Sequence, residues 1–229
     1  MHRASLHTFL PAFSFLLLAS SCAPLDDDAY ERDLDDDALQ QVAAAPAASS
    51  ALPFERTYRI PLRVHRGDSG LAPQALASVL EEVNEIWLRQ AAVCFEVEIV
   101  TSDAKRADGF DLWFHRARLG CNTRANGVYC GDHDIHVLDR PSLNPASSPR
   151  WDTRQDVART SAHELGHGLS LQHYNGQPDS NDSLMSSGRQ GFKLSASEVM
   201  QARRRAAQKA LADGTPRTCA PIPVVTDAP

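Results

Sequence analysis

Apolar residues recur at two different periods along the chain, and these periods predict its secondary structure. Residues 58–65 alternate between apolar and polar side chains, as expected of a strand with one buried face. Residues 73–91 repeat their apolar positions at helical spacing, and Pro73 suits the first turn of such a helix. Residues 93–100 alternate in the same way and predict a second strand. Short apolar stretches predict further strands at 111–114, 128–129 and 135–138. The Asn126-Gly127 pair predicts a hairpin turn next to an edge strand.

Residues 141–151 are rich in proline and serine and are predicted to be a loop that leads into a second helix. Asp152 or Thr153 can cap that helix at its N-terminus. Its buried side is expected to comprise four residues at helical spacing, Val157, Ser161, Leu165 and Leu169.

A last helix is predicted to begin at Ser195, where Ser195 and Glu198 have the spacing of a capping box. It should run to about Ala212, because the Asp213-Gly214 pair that follows is typical of a helix end. We expect its basic run, 203–205, to form a solvated face.

The second predicted helix contains the most informative motif, His163-Glu164-Leu165-Gly166-His167, which is followed by His173. Two histidines four residues apart lie on one face of a helix, so both can bind a single metal ion. Glu164 can take a proton from water instead of binding the metal. At this chain's His and Glu frequencies, four such positions would match by chance in roughly one sequence in two thousand.

His173 lies too far along the chain to share the helical face of the first two histidines. It can become a third ligand only if the helix ends near Ser170 and the chain turns back. Three protein ligands and an open fourth position are typical of a catalytic zinc site. We therefore expect one catalytic Zn²⁺.

The N-terminal segment, residues 1–21, has the features of an export signal: a basic start, a short apolar run and small residues. The Ala19-Ser20-Ser21-Cys22 sequence that follows resembles the lipobox of bacterial lipoproteins, which predicts a lipid on Cys22. Cleavage by an ordinary signal peptidase near Ala23 is the alternative. We expect an exported protein of the cell envelope, or alternatively a secreted one.

Residues 22–55 are predicted to be a disordered linker that is first acidic and then rich in alanine and proline. Eight acidic residues accompany one base between Asp26 and Asp37, whereas the whole chain of 229 residues has a net charge of −6. The acidity therefore belongs to the linker, which serves as a spacer or alternatively as an inhibitory pro-segment. Residues 56–214 are expected to form one catalytic domain, followed by a C-terminal tail at 215–229. No basic patch indicates a nucleic-acid partner.

Besides Cys22 the chain has four cysteines, and an even number in an exported protein predicts two disulfides. Three pairings are possible. Cys121 and Cys130 flank a turn-like stretch, which favours that pair and leaves Cys94 with Cys219. A cysteine-rich zinc site is the alternative, but the chain lacks CxxC spacing.

With these elements in this order, residues 57–213 resemble a metzincin zinc endopeptidase of the matrixin-like group. The resemblance rests on the histidine motif and on Ser183-Leu184-Met185-Ser186, which is similar to the family's Met-turn. It implies an α/β (α+β) fold of zincin type: a twisted mixed sheet, an N-terminal helix, an active-site helix and a C-terminal helix. It also implies that Met185 forms an apolar floor beneath the zinc ligands.

The chain departs from the family pattern at two positions. Ser170 stands where the family has glycine, and a left-handed backbone there raises the energy of a serine by about 1–2 kcal/mol. Ser187 stands where some metzincins carry a tyrosine that contacts the metal, so we expect no such ligand.

The resemblance implies a zinc-dependent endopeptidase in which Glu164 is the general base and His163, His167 and His173 are the metal ligands. A peptide or protein substrate would pair with an edge strand, which we place within residues 127–138. A catalytically idle lipoprotein that uses its zinc cleft to hold a peptide or a partner protein is the alternative. We expect a monomer that meets the membrane only through an N-terminal lipid.

The resemblance also allows a second, structural metal. His133 and His136, close to Asp132 and Asp134, are the residues to consider for it. We expect no such metal, because histidines and aspartates at the start of a strand are more often solvated turn residues. His65 and His115 are expected to have no chemical role.

Overall fold

The structure of the protein is a computed structural model. It describes residues 54, 56–105, 108–117, 125–131, 133–144, 155–175, 180–210, 212–214 and 218–224. The predicted export signal, Cys22 and the predicted linker up to residue 53 lie outside these residues.

In the residues that the structure describes, a mixed sheet of six strands forms the centre of the fold, with strand order β2-β1-β3-β5-β4 and β6 paired to the start of β1. The pairs β2-β1, β1-β3 and β3-β5 are parallel. Strand β4 is antiparallel to β5, and β6 is antiparallel to β1. The strands are β1 Thr57–His65, β2 Val93–Val100, β3 Phe110–His115, β4 Gly127–Tyr129, β5 Asp134–Leu138 and β6 Ala212–Gly214.

Within the described ranges three helices accompany the sheet: α1 Pro73–Ala91, α2 Asp156–Gly168 and α3 Ala196–Lys209. A 3-10 turn, Ser180–Asp182, precedes α3. In the part of the chain that the structure describes, no helix has both the length and the apolar character needed to cross a membrane. The predicted α/β class, with a mixed sheet and N-terminal, active-site and C-terminal helices, is confirmed.

The core lies between one face of the sheet and helices α1 and α2. Alternate residues of β1, β3 and β5 point into it, including Leu62, Leu112 and Ile135, each 0% exposed. Helix α1 contacts β2, and α2 contacts β4 and β5, so the two helices lie side by side over the sheet. The Trp87 indole N–H joins them by donating to the Ala162 carbonyl at 3.2 Å.

The predicted start of α2 is wrong. A cap at Asp152 or Thr153 would start the helix there, but α2 begins at Asp156 and its N-cap residue is Gln155. Gln155 has an extended backbone with φ −113° and ψ 112°, so the helix begins after it. Asp152 and Thr153 lie outside the described residues.

The predicted end of α3 is also wrong, although its start is confirmed. Ser195 and Glu198 form both hydrogen bonds of a capping box, but the helix ends at Lys209. The Asp213-Gly214 pair belongs to β6, whose backbone pairs with Thr57–Arg59.

The Asn126-Gly127 pair is not a turn, because Gly127 is the first residue of β4. The chain reverses later, between β4 and β5, where Gly131 and His133 have φ angles of +73° and +72°. Cys130 and Asp134 close this reversal through two backbone hydrogen bonds of 2.9 Å, Cys130 N to Asp134 O and Asp134 N to Gly131 O.

A disulfide joins Cys94 in β2 to Cys219 in the C-terminal segment, with a Cα–Cα distance of 5.4 Å. This is one of the two favoured pairs, and it ties the chain end to the sheet. The other favoured pair stays a prediction, because Cys121 lies outside the described residues.

Candidate metal centre

Helix α2 carries the motif residues into the interior of the protein. His163 is 4% exposed and Glu164 is 5% exposed, while His167 is partly buried at the open side of the helix. The predicted stripe behind them, from Val157 to Leu169, is buried against the sheet. The site therefore lies at the edge of the core and opens to solvent on one side.

The chain leaves α2 through a Schellman turn. The Leu171 N–H donates to the Gly166 carbonyl and the Ser170 N–H donates to the His167 carbonyl, both at 2.9 Å. This pair of bonds requires a left-handed residue between the helix and Leu171, and Ser170 has a φ angle of +68°. The turn reverses the chain and brings His173 back towards the helix.

Two backbone carbonyls fix the tautomers of the helical histidines. His163 Nδ1 lies 2.7 Å from the Leu184 carbonyl oxygen, and His167 Nδ1 lies 2.8 Å from the Leu171 carbonyl oxygen. A carbonyl only accepts, so each Nδ1 must carry the proton. Each neutral ring therefore presents the lone pair of its Nε2 atom.

These lone pairs converge on one point. The Nε2 atom of His167 is 3.1 Å from that of His163 and 3.2 Å from that of His173. Two unprotonated Nε2 atoms at this distance repel each other, because no hydrogen lies between His163 and His167. A cation between them would turn the repulsion into attraction.

The arrangement fits a tetrahedral zinc ion. The candidate ligand atoms of His163, His167 and His173 all lie within 4.8 Å of one another. Zn–N bonds of about 2.0–2.1 Å at tetrahedral angles separate two ligands by about 3.3 Å, close to the distances between the ring nitrogens. Within the described part of the chain, this is the one cluster that offers three such atoms.

Burial controls the electrostatics of the motif. It lowers the pKa of His163 well below its usual value and that of His167 to about 4, so both rings stay neutral at pH 7. Burial raises the pKa of Glu164 to about 8, although the Arg159 charge and the Tyr129 backbone N–H oppose this shift. The carboxyl group is therefore ready to exchange a proton near neutral pH.

Gly127 lets β4 lie directly against this carboxyl group. A Cβ atom at position 127 would be 2.8 Å from Glu164 Cγ, Glu164 Oε1 and Thr160 Cγ2, which is closer than real Cβ atoms approach. The sequence alone does not reveal this role of Gly127, because the Asn126-Gly127 pair also fits a turn. A glycine at the start of a strand can equally mark the close approach of another backbone or side chain.

Met185 lies beneath the helix. It is 0% exposed, and a Cβ atom on Gly166 would be 2.6 Å from its Sδ atom. The Tyr174 N–H donates to the Met185 carbonyl at 2.9 Å, which ties this loop to the chain that carries His173. The structure thus places Met185 against α2 at Gly166. That Met185 forms the floor beneath a zinc ion stays a prediction.

The residues considered for a second metal have separate neighbours. His133 Nε2 lies 2.7 Å from Lys209 Nζ, whereas His136 Nδ1 lies 2.9 Å from His115 Nε2. Burial, followed by the charge of His115, lowers the pKa of His136 to about 4. Asp132 lies outside the described residues.

His65, for which no role was expected, is buried in a polar contact. Its two ring nitrogens lie 2.9 Å from the Ser102 carbonyl and 2.8 Å from Asp111 Oδ1. The ring stacks on Trp113 at 3.6 Å.

Comparisons with known proteins give weak likenesses. No protein-family model and no curated protein matches the chain. Among solved structures, it is similar to a zinc-dependent peptidase from Methanocorpusculum labreanum (11% identity, TM-score 0.43, 62% of this chain and 99% of that one). It is also similar to archaemetzincin from Methanopyrus kandleri (16% identity, TM-score 0.44, 65% and 96%). A third is metalloproteinase-II from Bacteroides fragilis (11% identity, TM-score 0.40, 72% and 60%). TM-scores this low do not support an inference about activity, which has to come from the site.

Replacing Ser170 with glycine should stabilise the protein. Glycine relieves about 1–2 kcal/mol of left-handed strain and gives back about 0.5–1 kcal/mol in chain entropy, so we expect a net gain of about 0.5–1 kcal/mol. Urea unfolding of the metal-free protein measures this gain. Ala207→Gly, at an exposed helical position of α3, is the control and should lose about 1 kcal/mol. A similar loss in Ser170→Gly would contradict the left-handed turn.

The helical histidines should stay neutral in mildly acidic solution. Because burial lowers the pKa of His167 to about 4 and that of His163 below its usual value, their ring resonances should not move between about pH 7.5 and 5.5. NMR titration of the metal-free protein tests this. The urea-unfolded chain is the control and should titrate near pH 6.5. A midpoint near 6.5 in the folded protein would show that the rings are solvated.

Proposed function

We propose that this protein is a zinc-dependent endopeptidase. The observation that carries the proposal is the convergence of three imidazole nitrogens beside a buried carboxyl group. His163 and His167 are held in the tautomer that a metal requires, and His173 is brought to them by the turn at Ser170. A purely structural set of histidines needs neither the lone pairs nor the carboxyl group.

His163, His167 and His173 would hold the ion. When bound, Zn²⁺ supplies a Lewis acid that polarises the scissile carbonyl and makes water acidic near neutral pH. Three protein ligands leave a coordination position for a reactant, which separates a catalytic site from a closed structural one.

Glu164 would move the proton. As general base it takes a proton from the attacking water and then delivers it to the leaving amine. Its pKa of about 8 in the metal-free protein falls when a cation is bound nearby, because an adjacent positive charge favours the carboxylate. Near neutral pH the Glu164 carboxylate can then accept the proton of the water, and the carboxyl group so formed can give it to the leaving amine.

Strand β4 would receive the substrate. Of the predicted range 127–138, β5 is paired on both sides, so β4 is the strand at this edge of the described sheet. Cys130 and Asn126 bond to the β5 side of the hairpin, so the alternate residues Gly127 and Tyr129 direct their backbone groups to the other edge, where the Tyr129 N–H bonds to Glu164 in the metal-free protein. An extended peptide can add there by backbone pairing, with its scissile bond near Glu164.

The remaining features of the proposal come from the sequence. We propose a matrixin-like enzyme that is exported as a lipoprotein on Cys22, or secreted after cleavage near Ala23, and that acts as a monomer. Residues 22–55 would hold the catalytic domain away from the membrane surface.

Replacing Glu164 with glutamine should leave one zinc per chain and lower turnover by about 10²–10⁴-fold, because the amide cannot take a proton. The assay is mass spectrometry of an unbiased peptide library digested with and without a zinc chelator, together with metal analysis of the purified protein. Glu81→Gln, an exposed carboxylate on α1, is the control and should behave like the wild type.

Two results would overturn parts of this proposal. Wild-type turnover in Glu164→Gln would remove Glu164 from the mechanism. A wild-type protein that binds one zinc but shows no chelator-sensitive cleavage would favour the idle zinc-binding lipoprotein instead.

A further inference from the structure

Arg159 is a buried cation that has no step in the proposed chemistry, although its charge lowers the pKa of Glu164. It lies on α2 one turn before His163 and is 1% exposed. Its Nε atom donates to the Gly191 carbonyl at 2.9 Å, and Nη2 lies 2.6 Å from both the Leu184 and the Ser186 carbonyl oxygens. A longer contact of 3.3 Å joins Nη2 to the Ser183 carbonyl.

These contacts are unusual for a buried charge. In the described part of the chain, the hydrogen-bond partners of Arg159 are backbone carbonyls and not carboxylates. Burial lowers its pKa to about 10, so the side chain is still charged at neutral pH. Burying a charge costs free energy unless hydrogen bonds compensate for it, and a guanidinium group is shaped to donate several at once. Four carbonyls of the Met-turn loop, which we define as residues 183–191, provide this compensation. The electrostatic attraction of Glu164 and Asp156 adds to it.

One of these carbonyls is shared with a metal ligand. The Leu184 oxygen accepts from Arg159 Nη2 at 2.6 Å and from His163 Nδ1 at 2.7 Å. A carbonyl oxygen has two lone pairs, so both are used and the peptide plane cannot rotate without losing one bond. The orientation of the His163 ring therefore depends on a carbonyl that Arg159 holds.

His167 is oriented by a different device. Its Nδ1 donates to the Leu171 carbonyl, which belongs to the Schellman turn at the end of α2 and not to the Met-turn loop. A change at Arg159 should therefore disturb His163 and leave His167 in place, so His167 serves as a control within the same protein.

We infer that Arg159 is a positioning residue of the metal centre, which fixes His163 through the Leu184 carbonyl and holds the Met-turn loop under α2. The inference rests on the proposed function in that it takes His163 to be a metal ligand. Removing a partner that orients a metal ligand typically weakens metal binding by about 10–100-fold.

The test compares Arg159→Met with the wild type and with Ser161→Ala. Ser161 is a buried polar residue of the same helix, but its hydroxyl donates only to the Val157 carbonyl within α2. Three quantities are measured: the zinc dissociation constant by chelator competition, the visible spectrum of the Co²⁺-loaded protein, and the Nδ1–H signals of His163 and His167 by NMR. Circular dichroism checks folding.

Arg159→Met should weaken zinc binding by about 10-fold or more. It should also change the Co²⁺ spectrum and expose the His163 Nδ1–H to rapid exchange, while the His167 Nδ1–H stays protected. Ser161→Ala should retain wild-type zinc affinity and the wild-type spectrum. Folded Arg159→Met with zinc affinity within about twofold of the wild type and an unchanged His163 signal would overturn the inference.

If Arg159→Met does not fold, Arg159→Lys tests whether Arg159 positions His163. A lysine keeps the charge but cannot reach the same carbonyls with a planar fork, so zinc binding should still weaken and the Co²⁺ spectrum should change. Wild-type values for both would overturn the inference. If the wild-type protein itself binds no zinc, the proposed function is overturned, and the inference about Arg159 falls with it.

Discussion

Two imidazole nitrogens, Nε2 of His163 and Nε2 of His167, approach each other in this protein although neither can give the other a hydrogen. The Leu184 and Leu171 carbonyls each accept an Nδ1–H, so His163 and His167 turn unprotonated Nε2 atoms towards a common point. Such an arrangement is unfavourable unless a cation compensates for it. The turn after α2, the loop beneath it and the burial of the helix all serve to maintain this one geometry.

Close packing makes that geometry possible. Gly166 allows the Met185 sulfur to contact the helix backbone between the two ligands, and Gly127 allows β4 to contact Glu164. A methyl group at either glycine would have to displace its neighbour. Because Gly127 and Gly166 lack side chains, three parts of the site can lie close together. These parts are the metal ligands, the Glu164 carboxyl group and the sheet edge that we propose for the substrate.

The sequence predicts much of this arrangement, because periodicity reports burial. The bounds of α1 and β2 are those expected, since their apolar positions repeat without interruption. The place of Ser170 in the motif predicts a left-handed backbone, and its φ angle of +68° agrees. The spacing of the motif histidines also predicted which residues meet.

Other features depend on contacts between distant segments. Asp213-Gly214 looks like a helix end until β1 provides a partner strand. Arg159 reads as one charged residue on a helix, and only the fold shows that four carbonyls from 183–191 surround it. A local pattern contains no information about either partner.

X-ray absorption at the zinc edge tests the central claim most directly, because it identifies the atoms bound to the ion in solution. A protein loaded with one equivalent of zinc should show imidazole nitrogens at about 2.0–2.1 Å, scattering typical of three histidines, and no sulfur. A sulfur shell at about 2.3 Å, or scattering from fewer than three imidazoles, would contradict a centre built from His163, His167 and His173.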